Sequence, residues 1–193
     1  MSRPAVPKAN SPAAHSAEGS PVSRRDTPGE AGAGALHRVW KFGSDIDTDV
    51  LAPGAYMKLG IEGIAPHCLE SVRPEFARAV RPGDVLVAGG NFGIGSSREQ
   101  APAALVHLGL AAVIAPSYGG LFFRNAFNVG LLLLTCPDAA LLEEAELVRL
   151  DLSGHAVLSP RHGTLACEPV PDFLLAMVRA GGLFNQLKQR RHA

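Results

Sequence analysis

The stretch DVLVAGGNFGIGSSRE, residues 84–99, decides how this chain folds. Residues 84–88 are mostly apolar and typical of a short buried strand. The glycine-rich segment 89–99 cannot continue that strand, and the apolar residues 102–107 then predict a helix that stops at Gly109. A strand, a loop and a helix in this order predict a βα unit.

The residues that follow repeat this alternation. Residues 111–115 and 131–134 are predicted as short buried strands, and residues 121–128 as the helix between them, ended by Gly130. Strands that alternate with helices favour parallel pairing. The chain is therefore predicted to be an α/β protein.

Elements outside this alternation are also predicted. They are a strand at 38–42, a polar loop at 43–59, helices at 139–147 and 173–179, and short strands at 148–152, 155–158 and 164–167. The turns between the three short strands favour antiparallel pairing. The basic residues 188–192 are expected to fray.

The first 36 residues differ in composition from the rest. They are rich in Ala, Ser and Gly, and prolines interrupt them at positions 4, 7, 12, 21 and 28. Such a segment cannot bury enough apolar surface to order itself. We therefore expect residues 1–36 to be a disordered tail and residues 37–193 to be a single domain. The pair Arg24-Arg25 is not followed by an apolar segment, which argues against an export signal.

Charge and cysteine content narrow the class of function. The 193 residues include 18 Lys or Arg and 18 Asp or Glu, so no nucleic-acid partner is indicated. No apolar run approaches the roughly 18 residues of a membrane span, so no membrane partner is expected. The three cysteines, at positions 68, 136 and 167, are far apart and predict neither a disulfide framework nor a metal site. A reducing cytoplasm fits best.

The glycine-rich segment has the properties of an anion site. Its glycines let backbone N–H groups point into a cavity, and the following helix start adds partial positive charge. It lacks the Gly-Lys-Ser/Thr of a P-loop, and Arg98 stands where a dinucleotide fingerprint needs a glycine. Arg98 is suited to binding a carboxylate, with Ser96 or Ser97 among the same donors. The spacing of Ser96 from Glu99, and of Ser97 from Gln100, also fits a capping box, and the two roles are compatible.

The segment SDIDTDV, residues 44–50, carries three alternating aspartates. An EF-hand would require glycine and glutamate where Val50 and Tyr56 stand, so a calcium loop is excluded. Solvated turn aspartates are the alternative. The histidines stand singly, and each is expected to be structural or at the surface.

Several segments together resemble one family. Residues 44–50, 83–89, 91–99 (NFGIGSSRE) and 123–131 (FRNAFNVGL) are similar, in order, to the 3-isopropylmalate dehydratase small-subunit family of aconitase-type proteins. The likeness covers residues 39–184, and GSSRE preceded by NFG is a specific signature. It implies a swivelling β/β/α domain that closes over a [4Fe-4S] cluster held by a separate large subunit, so that this chain binds no cofactor itself.

The resemblance also implies roles for individual residues. Ser96 falls at the position of the base that removes a proton from the substrate, an unusual task for a serine unless cationic and N–H donors stabilise its alkoxide. Family position places Ser97 and Arg98 on substrate carboxylates, with the Gly95 backbone beside them. Supporting roles fall to the three aspartates Asp45, Asp47 and Asp49, of which Asp45 would orient groups of the partner.

Substrate choice in this family resides in the loop at residues 55–59, AYMKL, where Tyr56 and Lys58 are the candidate contacts. Relatives often carry arginine in this stretch, whereas the ammonium of Lys58 is a point charge and not a fork. Lys58 therefore leaves open an extra carboxylate or a smaller substrate, unless it is a solvated loop lysine. Gly120 is a second departure, since many relatives carry arginine there.

The chain is accordingly predicted to be the small subunit of an aconitase-type hydro-lyase, active only with its large subunit. The expected reaction interconverts 2-isopropylmalate and 3-isopropylmalate in leucine biosynthesis. Homoaconitate, a methylated malate and a citraconate-like acid are the alternative acids on which a related hydro-lyase subunit would act. A non-catalytic module that binds organic anions is the alternative from another class. The stoichiometry of the expected heterodimer and the purpose of residues 1–36 are left open.

Overall fold

The structure is a computed structural model that describes residues 34–191. Within that range a seven-stranded sheet has the order β4-β3-β2-β1-β5-β6-β7. The strands are β1 (His37–Lys41), β2 (Val85–Val87), β3 (Ala112–Ala115), β4 (Leu132–Thr135), β5 (Leu147–Asp151), β6 (Ala156–Ser159) and β7 (Gly163–Ala166). Residues 1–33 lie outside the described residues, so the disorder expected for residues 1–36 stays a prediction.

The helices are short. They are α1 (Thr48–Leu51), α2 (Gly60–Ile64), α3 (Phe76–Ala79), α4 (Gln100–His107), α5 (Gly120–Asn128), α6 (Asp172–Arg179) and α7 (Leu183–Arg191), with 3-10 segments at Gly54–Leu59, Ala65–His67 and Ala139–Leu141. Between residues 34 and 191, no helix has the length and apolar character needed to cross a membrane.

The first four strands form the parallel half of the sheet. Val39, Val85, Ala112 and Leu132 lie in one row across β1, β2, β3 and β4, and all four are buried. Helix α4 joins β2 to β3, and α5 joins β3 to β4, which confirms the predicted alternation. The carboxyl ends of these strands meet at one edge, where ligands bind in sheets of this kind.

Two glycines end the helices of this half. Gly109 after α4 and Gly130 after α5 have φ of +84° and +85°, which side chains with a Cβ rarely adopt. In both cases the next residue donates its N–H back into the helix, from Leu110 to Leu105 O (3.1 Å) and from Leu131 to Ala126 O (2.8 Å). This is the Schellman pattern, which turns the chain directly into the next strand.

The last three strands form an antiparallel meander, as predicted. β5 pairs with β1 and β6, and β6 pairs with β7. The two halves therefore share β1 and make one continuous sheet.

The helix predicted at residues 139–147 is wrong. Only the 3-10 segment Ala139–Leu141 forms, and the chain then extends into β5. The buried carboxylate of Glu146 accepts hydrogen bonds from the backbone N–H of Glu143 (3.0 Å) and from Ser159 Oγ. These contacts fix a turn before β5 in place of a helix.

Two other parts of the prediction need correction. The polar loop at residues 43–59 contains α1 and a 3-10 segment, because Asp47 Oδ1 accepts from Val50 N (2.8 Å) and caps a helix too short to show periodicity. Residues 60–83, left unassigned by the sequence, hold α2 and α3. Residues 188–191, which the sequence predicts to fray, form the last turn of α7.

Candidate active site

Three loops meet at the carboxyl edge of the parallel strands. They follow β1, β2 and β3. Backbone N–H groups donate between them, from Gly93 to Ile46 O (2.7 Å), from Thr48 to Ile94 O (2.9 Å) and from Gly119 to Phe92 O (2.8 Å). The glycine-rich segment is therefore held on both sides by its neighbours.

Close packing explains two glycines of this segment. Gly93 has φ +75°, and a Cβ there would lie 2.1 Å from Cγ of Phe122 on α5. Gly95 has φ +102°, and its Cβ would lie 3.1 Å from Thr48 Oγ1. A side chain at either position would push the segment away from α1 and α5.

Ser96 is held by Thr48. The buried Thr48 Oγ1 accepts from Ser96 N (2.9 Å) and lies 2.9 Å from Ser96 Oγ, so the two hydroxyls share a hydrogen bond. Because Thr48 is the first residue of α1, which Asp47 caps, its position is fixed by the helix. Thr48 was not among the candidates from the sequence. In the sequence, the only indication of a role for Thr48 is its position between Asp47 and Asp49.

The capping-box alternative for Ser96 and Ser97 is wrong. Helix α4 begins at Gln100 with Glu99 at the cap position, and no side chain there makes a capping hydrogen bond. The two serines lie before the cap position. The hydroxyl of Ser96 is thus turned toward α1, not toward the start of α4.

Arg98 lies beside the same short helix. It forms an ion pair with Asp49 and donates from Nη1 to Ala52 O (3.2 Å). The Asp49 side chain is 65% exposed, and pairs this exposed contribute only about 0 to 1 kcal/mol. A guanidinium also has donors besides Nη1. A substrate carboxylate can therefore compete for Arg98.

The three predicted aspartates have three different positions. Asp45 is exposed at the rim with φ +59°, and its Oδ1 accepts from Nδ2 of Asn91 (2.9 Å), whose own φ is +58°. Asp47 caps α1, and Asp49 pairs with Arg98. Asp45 and Asn91, which are 46 residues apart in the chain, thus join the rims of two loops from backbone positions in the left-handed region that Asp and Asn tolerate.

Ser97 and Gly95 are both exposed at the mouth of the site. The carbonyl oxygen of Ser97 accepts from Asn125 Nδ2 on α5 (2.9 Å), which supports the segment from a third side. At Gly120, the first residue of α5, a Cβ would meet nothing within 4 Å. Its glycine is therefore not required by packing.

The loop predicted to choose the substrate is the 3-10 segment Gly54–Leu59. It begins two residues after Ala52, whose carbonyl contacts Arg98. Lys58 and Leu59 are exposed, whereas Tyr56 is half-buried and stacks on His67. Partial burial, followed by the nearby Glu70 carboxylate, raises the pKa of Tyr56. The structure gives no contact between this loop and Ser96.

Comparison with known proteins bears directly on this arrangement. The Aconitase C-terminal domain family matches residues 73–139, which include the glycine-rich segment and all of α5 with its flanking strands β3 and β4. The 3-isopropylmalate dehydratase small subunit 1 of Archaeoglobus fulgidus is 45% identical over 158 residues, which are 81% of this chain and 98% of the relative. The chain belongs to the 3-isopropylmalate dehydratase small-subunit family. The resemblance seen in the sequence is therefore confirmed.

Two further relatives describe the range of this small-subunit family. The methanogen homoaconitase small subunit of Methanothermobacter thermautotrophicus is 43% identical over 77% of this chain and 87% of the relative. A crystal structure of 3-isopropylmalate dehydratase from Methanocaldococcus jannaschii superposes with a TM-score of 0.76 at 38% identity, covering 81% of this chain and 95% of that one. The predicted α/β fold is confirmed, and the chain is a subunit of an aconitase-type hydro-lyase.

The cysteines of this small subunit do not form a cluster site. Among residues 34–191, no three His, Cys, Asp or Glu side chains are placed to hold a metal ion. Cys68 is buried by itself, and burial raises its pKa. A hydrogen bond with Cys167 lowers the pKa of Cys136, so these two thiols lie together. Iron–sulfur clusters require several converging thiolates, and the described residues do not fit that requirement.

Proposed function

We propose that this chain is the small subunit of 3-isopropylmalate dehydratase and interconverts 2-isopropylmalate and 3-isopropylmalate in leucine biosynthesis in the cytoplasm. It would act with a separate large subunit that carries a [4Fe-4S] cluster. Residues 37–193 would form one domain that swivels to close over that partner. The observation that carries the proposal is the placement of Ser96 Oγ, 2.9 Å from Thr48 Oγ1, in a family-specific segment that also carries Arg98.

The reaction requires a proton to leave the carbon beside a carboxylate and a hydroxyl to leave its neighbour, after which water adds back with the opposite placement. Ser96 Oγ would accept that proton. The hydrogen bond with Thr48 orients the Ser96 hydroxyl. The N–H groups of the Gly93–Ser97 segment that do not already donate to Ile46 or Thr48, together with Arg98, would supply donors that stabilise negative charge on it. When bound, the large subunit's cluster supplies Lewis-acid chemistry at the departing hydroxyl.

Substrate carboxylates would be bound by Arg98, Ser97 and the backbone of Gly95; Gly95 and Ser97 are exposed and Arg98 is half-buried. Displacing Asp49 from Arg98 costs little because the pair is exposed. Asp45 lies at the rim, where it would meet the large subunit, while Asp47 supports α1 through its cap. Ser97 and Arg98 would thus bind the substrate carboxylates, and the aspartates would hold the surrounding groups in position.

Tyr56 and Lys58 would contact the part of the substrate that differs between family members. The exposed ammonium of Lys58 also favours a second candidate, a homoaconitase small subunit, because homoaconitate carries an additional carboxylate that a cation could pair with. The methanogen homoaconitase relative gives this candidate independent support.

The proposal is tested by mixing the full chain with its iron-loaded large subunit under anaerobic conditions. Hydration is then measured with isopropylmaleate, homoaconitate and a citraconate-like acid. We expect neither chain to act alone, and the pair to have its highest kcat/KM on isopropylmaleate. A higher kcat/KM on homoaconitate would replace the substrate assignment, and association without turnover of any diacid would support a non-catalytic binding module.

A further inference from the structure

Tyr56 rests on a pair of side chains outside the site described above. Its ring stacks on the imidazole of His67 with a centroid distance of 3.5 Å and an angle of 8°. His67 Nδ1 in turn lies 2.6 Å from Glu70 Oε2. The three side chains form a layered unit beneath the 3-10 segment Gly54–Leu59.

The backbone that carries His67 is firmly held. Its neighbours Ala65 and Cys68 are buried, and Cys68 N donates to Ala65 O (3.1 Å). Leu69 is fully buried with φ +62° and donates its N–H to Val50 O (2.9 Å). Because Val50 lies in α1, which also carries Thr48 and Asp49, the pair under Tyr56 and the site around Ser96 share one support.

The loop itself has few attachments to the core. Ala55, Lys58 and Leu59 are exposed, and none of the residues Gly54–Leu59 is buried. Tyr56 and Met57 are the members of the loop that pack against the core from a half-buried position. The conformation of the loop therefore depends strongly on what Tyr56 contacts.

We propose that His67 and Glu70 are positioning residues for substrate selection, which hold Tyr56 and hence the loop in its substrate-binding conformation. This inference rests on the proposed function, since it assigns no separate ligand to the pair. The Glu70 carboxylate fixes the orientation of the imidazole through Nδ1. The imidazole face then fixes the plane of the Tyr56 ring, whose hydroxyl lies near the Glu70 carboxylate, and thereby fixes the position of the loop.

The pair has a matched control on the same surface. His67, Glu70 and Arg78 line one open groove of about 410 Å³, together with Pro66 and Pro74. Arg78 is exposed, and the described structure gives its side chain no contact with Tyr56. Arg78→Ala changes charge near the pair without touching the stack.

The experiment compares His67→Ala, His67→Phe, Glu70→Gln and Arg78→Ala in the assembled two-subunit enzyme. Loss of an aromatic pair corresponds to about a two- to twelvefold change in an equilibrium. We expect His67→Ala to raise KM for the isopropylmalates by about that factor, with kcat within twofold. His67→Phe keeps the stack and should bring KM most of the way back to the wild-type value. Glu70→Gln should give a KM between those of wild type and His67→Ala, and Arg78→Ala should have the wild-type KM.

A second readout does not depend on catalysis. Tyrosine labelling of the full chain leaves the ring signals of Tyr56 and Tyr118, and the signal lost in Tyr56→Phe is that of Tyr56. The Tyr56 ring protons report the stack as an upfield NMR shift that His67→Ala removes and His67→Phe retains. An unchanged Tyr56 shift in His67→Ala, or an unchanged KM in an active enzyme, would overturn the proposal. If the wild-type pair turned over no diacid, the proposed function would fall, while the NMR shift would still decide whether His67 holds Tyr56.

Discussion

Replacing Thr48 by valine tests how the site is built. Thr48 is 1% exposed, and valine fills nearly the same volume while removing Oγ1. Two hydrogen bonds of 2.9 Å are lost, both to Ser96. Each contributes a net stabilisation of about 0.5 to 1.5 kcal/mol. Because Ser96 is partly exposed, water can replace some of the lost hydrogen bonding. We therefore expect Thr48→Val to lower the free energy of unfolding by about 1 to 2 kcal/mol in total.

The same change should lower activity in the assembled enzyme. Without Thr48 Oγ1 the hydroxyl of Ser96 loses its orientation, and a deficit of about 1 to 2 kcal/mol in the transition state corresponds to about a 5- to 30-fold fall in kcat. Thr48→Ser retains an oxygen at this position and should stay within about threefold of wild type. The free energy of unfolding of the isolated chain and kcat with the large subunit are the two measurements.

The two variants together can refute the reasoning. A Thr48→Val enzyme with wild-type kcat would show that this hydrogen bond does not orient a catalytic group. An equal loss of kcat in Thr48→Ser would show that the methyl group, not the hydroxyl, matters. A loss of stability without any loss of kcat would leave Thr48 a purely structural residue.

Three more outcomes follow from named contacts. Asp49→Asn should free Arg98 and lower KM for the diacid by up to about fivefold, since the exposed pair contributes at most about 1 kcal/mol, and a tenfold rise in KM would contradict the competition argued for Arg98. Burial alone would raise the pKa of Glu146, but the hydrogen bonds from Ser159 and the backbone outweigh burial and lower that pKa. The carboxylate therefore stabilises the fold above the unfolded-state pKa of about 4.3, and this stabilisation should be lost as the pH falls below that value. Urea titrations at pH 6 and pH 3.5 should show a smaller acid loss in Glu146→Gln than in wild type, and equal losses would refute that role. Deleting residues 1–36 should move the melting temperature by less than about 4 °C, equivalent to about 1 kcal/mol, and a larger fall would mean that they contribute to the fold.

The parallel half of the sheet is predictable from sequence because its signals are local. Short apolar runs alternate with helical patterns, and Gly109 and Gly130 mark the helix ends by their positive φ. The helix wrongly predicted at residues 139–147 fails for a non-local reason. Its Glu146 is buried by a hydrogen bond with Ser159 across the meander, a partner that no helical pattern reveals.

The candidate site shows the same contrast between residues that local sequence identifies and residues that only non-local contacts reveal. The family signature identifies Ser96 and Arg98, but their partners Thr48 and Asp49 lie 48 and 49 residues earlier in the chain. The two segments are brought together by non-local contacts such as the parallel bridge between Asp47 and Ile94 and the hydrogen bond from Asp45 N to Gly90 O (2.9 Å). The stack of Tyr56 on His67 is equally invisible in the sequence, where His67 is one of several single histidines.

The most direct test of the account is kcat of Ser96→Ala in the assembled enzyme, with Ser153→Ala on an exposed turn of the antiparallel half as the matched control. Removing a positioned general base costs about 10² to 10⁴ in rate. We predict a loss of that size in Ser96→Ala, with folding and association with the large subunit retained, and wild-type kcat in Ser153→Ala. A folded, partner-bound Ser96→Ala enzyme with kcat within a few-fold of wild type would contradict the central claim that this hydroxyl removes the substrate proton.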